Sequence, residues 1–171
     1  DSGGSLRGRE SPNGQYLACW REREKERRGE QYPGGICFAD NHEVTHVAEL
    51  ADVSALAPAN DGTVAGLVNA GERFLVFDSD GSKRFEDSFE SNVGALAITP
   101  DGGHVAIATA FPDNAVHLYE TETGRYLGRT ENSTTSVLGD LQFGTDDGDR
   151  VVETYDVGPD SDLDVHENRT G

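Results

Sequence analysis

The residues of this sequence that could do chemistry are five histidines, two cysteines and several short acidic runs. One spacing matches a metal motif, since His42-Glu43-Val44-Thr45-His46 reads H-E-x-x-H. In zinc proteases that motif works because a helix places both histidines on one face. Here β-branched Val44 and Thr45 favour a strand, in which residues four apart are too widely separated to share one zinc ion. We therefore expect no metal at this motif.

The remaining histidines and the acidic runs favour structural roles. His104, His117 and His166 fall beside turns or at alternating strand positions, where a hydrogen-bonded structural histidine is expected. The run 78–82 (DSDGS) begins like a calcium loop, but no glutamate follows at the twelfth position, so it predicts a hairpin turn. The run 160–164 (DSDLD) could offer carboxylates to calcium, and an acidic surface loop explains it equally well.

No group of residues forms a recognisable catalytic arrangement. The sequence contains neither a glycine-rich phosphate loop nor a nucleophile elbow. We therefore predict no catalytic residue, no metal ligand and no cofactor, and the sequence leaves any cofactor-binding residue unknown. Asn132 and Asn168 match the glycosylation pattern, which matters only if the protein is exported.

Cys19 and Cys37 are too few for a disulfide framework. They fall in neighbouring strands of one predicted hairpin, and a register centred near Arg28 places them almost opposite one another. A cross-strand disulfide would form there if the spacing is right. Two buried, apolar free thiols are the commoner outcome. Both alternatives stay open.

The charge of the chain is strongly acidic. Thirty-two Asp and Glu residues against 14 Lys and Arg residues give a formal net charge of −18, and the lysines are only Lys25 and Lys83. Such a composition resembles the surfaces of proteins from salt-loving archaea, where dense salt screens the repulsion between like charges. Nucleic acids and anionic membranes attract basic faces, so neither is an expected partner.

The targeting signals leave the location open. No apolar run reaches the ~18 residues of a membrane helix, and no signal-peptide pattern is found, so we expect no membrane insertion. The chain contains no methionine and starts at Asp1. We therefore expect a processed or excised product, located in the cytoplasm or at the cell surface.

The elements that would position these residues are short strands, and the clearest set lies in 93–129. An apolar run (94–99), a turn (100–103) and two alternating runs (104–110 and 115–121) precede a fourth short run near 126–128. This pattern predicts a four-stranded antiparallel meander of the length of one β-propeller blade, about 40–45 residues.

Approximate copies of this meander fill the chain. Turn pairs of the Asn-Gly or Asp-Gly type begin at Asn13, Asp61, Asp101 and Asp147, at spacings of 48, 40 and 46 residues. We therefore predict an all-β chain whose residues 1–171 form a single β-propeller domain with about four four-stranded antiparallel blades. The expected blades are 11–50, 53–89, 93–131 and 137–167.

The first ten residues have two candidate placements. Counted from the turn at Asn13, they would form the innermost strand of the first blade, but Arg7 and Arg9 would then stand where the best copy has Ala95 and Ala97. We therefore favour an outer strand that pairs beside the last blade and closes a small ring. The alternative is a partial ring completed by another copy or by a longer chain.

The third copy resembles the repeats of WD-repeat and YVTN-type propeller proteins. The resemblance is carried by 96–102 (LAITPDG), 105–108 (VAIA), 113–119 (DNAVHLY) and 122–125 (ETGR). The Gly-His and Trp-Asp pairs of WD blades are missing, which removes the hydrogen-bonded tetrad that some WD blades use and favours the YVTN-like class.

The resemblance implies a non-enzymatic module that presents loops to a protein partner or small ligand, with homo-oligomerisation as an option. It also implies an alternative, a propeller enzyme of the lactonase or quinoprotein type, whose site residues converge on the channel from several blades. The predicted inner strands carry few acids or bases, which favours the binding module.

Overall fold

The structure, a computed structural model, describes residues 6–21, 34–50, 52–68, 72–90, 93–109, 113, 115–131, 140–143, 150–154 and 166–169, with side chains up to 129. All regular structure in these residues is β-strand. No helix among them is long and apolar enough to cross a membrane.

The strands form four antiparallel meanders, each following chain order. Sheet 1 contains β1 (Leu6–Glu10), β2 (Tyr16–Arg21), β3 (Gly35–Asp40) and β4 (Glu43–Glu49). Sheet 2 contains β5 (Val53–Pro58), β6 (Val64–Val68), β7 (Arg73–Phe77) and β8 (Lys83–Ser88). Sheet 3 contains β9 (Val93–Ile98), β10 (His104–Thr109), β11 (Ala115–Glu120) and β12 (Tyr126–Glu131). The described part of sheet 4 contains β13 (Asp140–Phe143), β14 (Arg150–Thr154) and β15 (His166–Arg169).

Consecutive sheets pack face to face, with their first strands side by side. β1 contacts β5, β5 contacts β9, and β9 contacts β13. One core lies between sheets 1 and 2 and includes Trp20, Phe38 and Phe77. A second lies between sheets 2 and 3 and includes Phe74 and Ile107. The predicted fold class, an all-β propeller of antiparallel four-stranded sheets, is confirmed.

Alternation along the strands explains why both faces of the middle sheets are apolar. In β6, Val64 and Val68 face sheet 1 and Ala65 and Leu67 face sheet 3. Successive side chains of a strand point to opposite faces, so a sheet packed on both sides is apolar at every position. All five residues of β6 are accordingly buried.

The favoured placement of the first ten residues is corrected by the structure. Leu6–Glu10 pairs with β2, from Leu6 opposite Arg21 to Glu10 opposite Leu17, and so holds the position that β5 and β9 hold in their sheets. The tight turn at 12–14 folds the chain directly back onto β1, because the Ser11 amide donates to the Tyr16 carbonyl at 2.8 Å. Arg7 and Arg9 are tolerated because every residue of β1 is exposed.

The described turns have the conformation that their sequences predict. Gly14, Gly62 and Gly102 have φ of 73°, 87° and 77°, in the region that side chains disfavour. The predicted hairpin turn at 78–82 is also confirmed, since the Gly81 amide donates to the Asp78 carbonyl at 2.9 Å. The fourth turn, at Asp147, lies outside the described residues.

Candidate functional site

The turns that follow the first strands of sheets 1, 2 and 3 lie together at one end of the molecule. We call the surface formed by 12–14, 60–62 and 101–103 the inner-turn face. The Asn13 amide donates to Asn60 Oδ1 at 2.8 Å, and the Asn60 amide donates to the Pro100 carbonyl at 2.8 Å. The three turns are therefore linked in a row, and each contributes exposed polar groups to one surface.

The carboxylates of this face are held in fixed orientations by their own turns. Asp61 Oδ1 accepts from the Thr63 amide at 2.9 Å, and Asp101 Oδ1 accepts from the Gly103 amide at 2.9 Å. The Thr99 hydroxyl and the Gly103 amide lower the pKa of Asp101 below its ordinary value. Asp101 is therefore ionised at neutral pH, and the face presents oriented anionic acceptors to solvent.

A second polar cluster lies in sheet 3, around the buried side chain of His117. His117 Nε2 lies 2.6 Å from Asp113 Oδ2, and His117 Nδ1 lies 3.0 Å from the Tyr126 hydroxyl. The Thr109 hydroxyl donates to Asp113 Oδ2 at 2.7 Å, and Arg129 donates to Asp113 Oδ1 at 2.6 Å. These residues tie the β10–β11 connection to the strands on both sides of it.

The His117 cluster is suited to a structural role, because its polar groups bind one another. Both ring nitrogens of His117 have partners within the sheet, which fixes the orientation of the ring. Burial alone would raise the pKa of Asp113, but hydrogen bonds from Thr109 and His117 and the charge of Arg129 hold it below its ordinary value. The network therefore stabilises the ionised carboxylate of Asp113 inside the folded sheet.

Aromatic rings enclose this cluster and connect it to sheet 2. Phe89 lies 5.1 Å from the ring of His117, and the Tyr119 hydroxyl donates to Asp87 Oδ2 at 3.1 Å. Burial and the Asp87 carboxylate strongly raise the pKa of Tyr119. The cluster therefore also helps to hold sheet 3 against sheet 2.

Sequence reasoning foresaw a satisfied histidine at His117 but missed its partners. The missing WD pairs predicted the loss of a hydrogen-bonded tetrad, yet a different network, built on Thr109, Asp113 and His117, is present in this blade. Their regular spacing could have revealed the network. Thr109 ends one strand, Asp113 lies four residues later in the short connection, and His117 lies four residues after that in the next strand.

The H-E-x-x-H residues are not brought together by a helix. His42 lies in the turn between β3 and β4 with φ of 71°, and His46 lies in β4 with its ring 5.5 Å from that of Phe38. His104 begins β10 and His166 begins β15. Within the described part of the chain, no three His, Cys, Asp or Glu residues are grouped so as to hold a metal ion. The acidic run 160–164 and Asn132 lie outside the described residues, and Asn168 lies in β15.

Cys19 and Cys37 occupy directly opposed positions of β2 and β3 and are free thiols. The predicted near-opposition is confirmed, and both side chains are half-buried. Burial, and secondarily the Cys37 thiol, raise the pKa of Cys19.

The cysteines lie on the face of sheet 1 that points away from sheet 2. We call this surface the open face. The register assigns to it the apolar or small residues Leu6, Gly8, Leu17, Cys19, Gly35, Cys37, Ala39, Val44 and Val47, with the charged residues Glu10, Arg21 and Glu49 at strand ends. Leu6, Val44 and Val47 are 66%, 62% and 71% exposed, and they are three of the five exposed large hydrophobic residues in the described part of the chain. Exposed apolar side chains concentrated on one surface are typical of an interaction site.

The equivalent face of sheet 2 shows what normally covers such a surface. Leu56, Leu75 and Phe77 face sheet 1 and are buried against Trp20 and Phe38. The open face is therefore the surface to which a preceding blade would be joined.

These successive antiparallel meanders, packed with their first strands side by side, define a β-propeller-type chain. No known protein family matches the sequence, and no curated protein matches it either.

Solved structures match the fold at low identity. The β-propeller domain of Cps50 (Swd1) from Myceliophteria thermophila matches 86% of this chain with a TM-score of 0.62 at 11% identity. A chain of Kuenenia stuttgartiensis hydrazine synthase matches 94% with a TM-score of 0.66 at 17% identity. A chain of a mitotic checkpoint complex matches 94% with a TM-score of 0.65 at 13% identity. This chain spans 49%, 44% and 48% of those three chains, or about half of each.

Proposed function

We propose that this chain is a non-enzymatic β-propeller module that binds a protein partner through its inner-turn face. The observation that carries the proposal is the composition of the inner strands. β5 (VSALAP) and β9 (VGALAI) contain no ionisable residue. A propeller enzyme needs acids, bases or histidines that converge from several inner strands, and these two strands supply none. Of the other two first strands, β1 (LRGRE) is exposed along its length, and β13 (DLQF) has one acidic residue, Asp140, at its start.

The inner-turn face favours a cationic segment of a protein as the ligand. Asp61 and Asp101 project from turns that adjoin one another although they belong to different sheets. At low ionic strength the net charge of −18 adds long-range attraction for a basic partner, and concentrated salt leaves only the short-range contacts. A row of oriented carboxylates fits arginine side chains, which form paired hydrogen bonds with carboxylates.

The test is a binding titration with a short arginine-rich peptide and its glutamate-substituted counterpart. Asp61→Asn and Asp101→Asn retain the turn hydrogen bonds in part and remove the charge. The double variant should weaken peptide binding about a hundredfold or more, as expected for loss of two charge-assisted hydrogen bonds of about 1.5–3 kcal/mol each. Glu86→Gln, on the outer strand β8, is the matched control and should change affinity less than twofold. Equal weakening by the control would show that only the net charge matters and would contradict a site on this face.

The enzyme alternative is tested on the same preparation. The protein is assayed for hydrolysis of simple lactones and for quinone-dependent alcohol oxidation with pyrroloquinoline quinone and Ca²⁺ supplied. We expect no saturable turnover. Saturable turnover that disappears on substitution of residues near the axis would replace the binding proposal with an enzymatic one.

We also propose that residues 1–171 form one domain adapted to concentrated salt. The continuous series of sheet contacts from β1 to β13 supports the single domain. The excess of 32 acidic over 14 basic residues supports the adaptation, because screening by salt relieves self-repulsion. Urea midpoints measured from 0.1 to 3 M KCl should rise with salt, and a flat or falling series would contradict the adaptation.

A further inference from the structure

The open face carries two thiols in a geometry suited to joining them. Cys19 and Cys37 are directly opposed in the register of β2 and β3. Side chains at directly opposed positions lie on the same face, and the Cα atoms of such pairs are about 4.5–5.5 Å apart. A disulfide spans Cα separations of about 4.4–6.8 Å.

The surroundings of the thiols leave them accessible. The row across sheet 1 reads Gly8, Cys19, Cys37 and Val47, one residue per strand. A Cβ added to Gly8 would lie 3.5 Å from Cys19 Sγ and 3.6 Å from Leu17 Cδ1, so on that side the sulfur adjoins the glycine and the Leu17 side chain. On the other side Val47 is 71% exposed. A small reagent can therefore reach the pair from the open face.

We propose that Cys19 and Cys37 are a redox-active pair that forms a cross-strand disulfide by exchange with a low-molecular-weight disulfide such as oxidised glutathione. The thiolate of one cysteine attacks a glutathione sulfur, which forms a mixed disulfide and releases one reduced glutathione. The other cysteine loses its proton and attacks its partner's sulfur in that mixed disulfide, releasing the second glutathione. The cysteines give up two electrons and two protons, and one glutathione disulfide becomes two glutathione thiols.

The same geometry makes the bond readily reversible. Directly opposed strand positions hold Cβ atoms about 4.5–5.5 Å apart. A relaxed disulfide holds them at about 3.5–4.5 Å, so closure draws the strands together. Strained and exposed disulfides are the ones that reducing agents open easily. Burial raises the pKa of Cys19, so its thiolate fraction, and with it the rate of exchange, should increase with pH.

The test equilibrates the folded chain with glutathione buffers of graded oxidised-to-reduced ratio, then alkylates the remaining thiols and measures the intact mass. The protein is kept dilute in 2 M KCl so that self-association does not cover the open face. We expect both thiols to disappear together at one ratio, with loss of two hydrogens per chain and one peptide pair linking 19 to 37. Cys37→Ser should instead retain a single glutathione, because no second thiol resolves the mixed disulfide.

Two results would overturn the proposal. One is wild-type chain that carries two glutathiones or links to a second chain, because the pair would then not close internally. The other is two free thiols at every ratio when the urea-unfolded chain oxidises in the same buffers. If Cys37→Ser does not fold, the wild-type masses still decide between these outcomes.

Discussion

The packing between sheets 2 and 3 can be tested by removing the ring of Phe74. This side chain is fully buried, and its ring lies 5.8 Å from Phe85, 5.8 Å from Phe89 and 4.8 Å from Tyr119 of sheet 3. Replacing a buried phenylalanine by alanine destabilises proteins by about 3–5 kcal/mol. Three aromatic neighbours held by two sheets cannot easily close the cavity, so we expect the upper half of that range, about 4–5 kcal/mol.

The assay uses Trp20, the one tryptophan of the chain, as a reporter in another sheet. Trp20 belongs to the core between sheets 1 and 2, whereas Phe74 belongs to the core between sheets 2 and 3. If the sheets unfold as one unit, Phe74→Ala should lower the urea midpoint of Trp20 fluorescence in 2 M KCl. For a slope of about 2 kcal/mol per molar urea, the expected decrease is about 2 M.

A matched control separates this effect from general damage. Glu122→Ala trims an exposed residue in the turn between β11 and β12, away from the open face, and such changes usually alter stability by less than about 0.5 kcal/mol. A Phe74→Ala midpoint as high as that of the control would refute the proposed core. An unchanged Trp20 transition with an earlier loss of circular dichroism would instead show that the sheets unfold separately.

Three further predictions follow from the turns, the His117 cluster and the open face. Gly102→Ala should destabilise more than Gly14→Ala in urea titrations. Both have positive φ, but only at Gly102 would the new Cβ meet the Asp61 carboxylate, and Asp61→Ala should remove the difference. Asp113→Asn should lower the free energy of unfolding at pH 7 by about 1–3 kcal/mol. Because the pKa of Asp113 is lowered in the folded chain, its stabilising effect is complete above the ordinary carboxyl pKa, about 4. The effect is lost as the pH falls through the lower folded pKa. The free energy of unfolding of Asp113→Asn should therefore change less with pH in the acid range. We also expect a second copy of the chain to cover the open face at high protein concentration. There, in 2 M KCl, the wild-type mass should be twice the chain mass of 18.4 kDa and that of Val47→Asp should be 18.4 kDa, and a wild-type mass of 18.4 kDa would contradict pairing through this face.

Much of the architecture could be predicted from local signals. The turn pairs at Asn13, Asp61 and Asp101 require positive φ at or next to their glycines, and each separates two short apolar runs. Those signals depend only on nearby residues, so they predict the turns without knowledge of the neighbouring sheets. They located the described strands of sheets 2 and 3 to within a few residues.

The placement of Leu6–Glu10 could not be predicted because it depends on what lies beyond it. Arginine at positions 7 and 9 argued against an inner strand, since the matching residues Ala95 and Ala97 are buried. That argument assumed that every inner strand is covered. β1 is exposed along its length, so the tight turn after it decides the pairing and the side chains do not oppose it.

The His117 cluster escaped prediction for a different reason. Thr109, Asp113 and His117 are each unremarkable by residue type, and their contact requires the register of β10 with β11. Register follows from the pairing of whole strands, and a shift by one residue would send His117 to the opposite face. The polar site therefore depends on the apolar pattern of the hairpin that carries it.

The open face links the redox proposal to the proposed pairing. Cys19 and Cys37 lie in the same row as Val47, so a blade packed on Val47 would also cover the thiols. A partner that binds the open face should slow the reaction of the two thiols with glutathione. Linked equilibria are reciprocal, so a disulfide that alters the spacing of β2 and β3 should in turn change the affinity for that partner. Thiol reactivity measured against protein concentration therefore tests whether the same face serves both roles. A rate that does not change as the mass rises from one chain to two would place the pairing surface elsewhere.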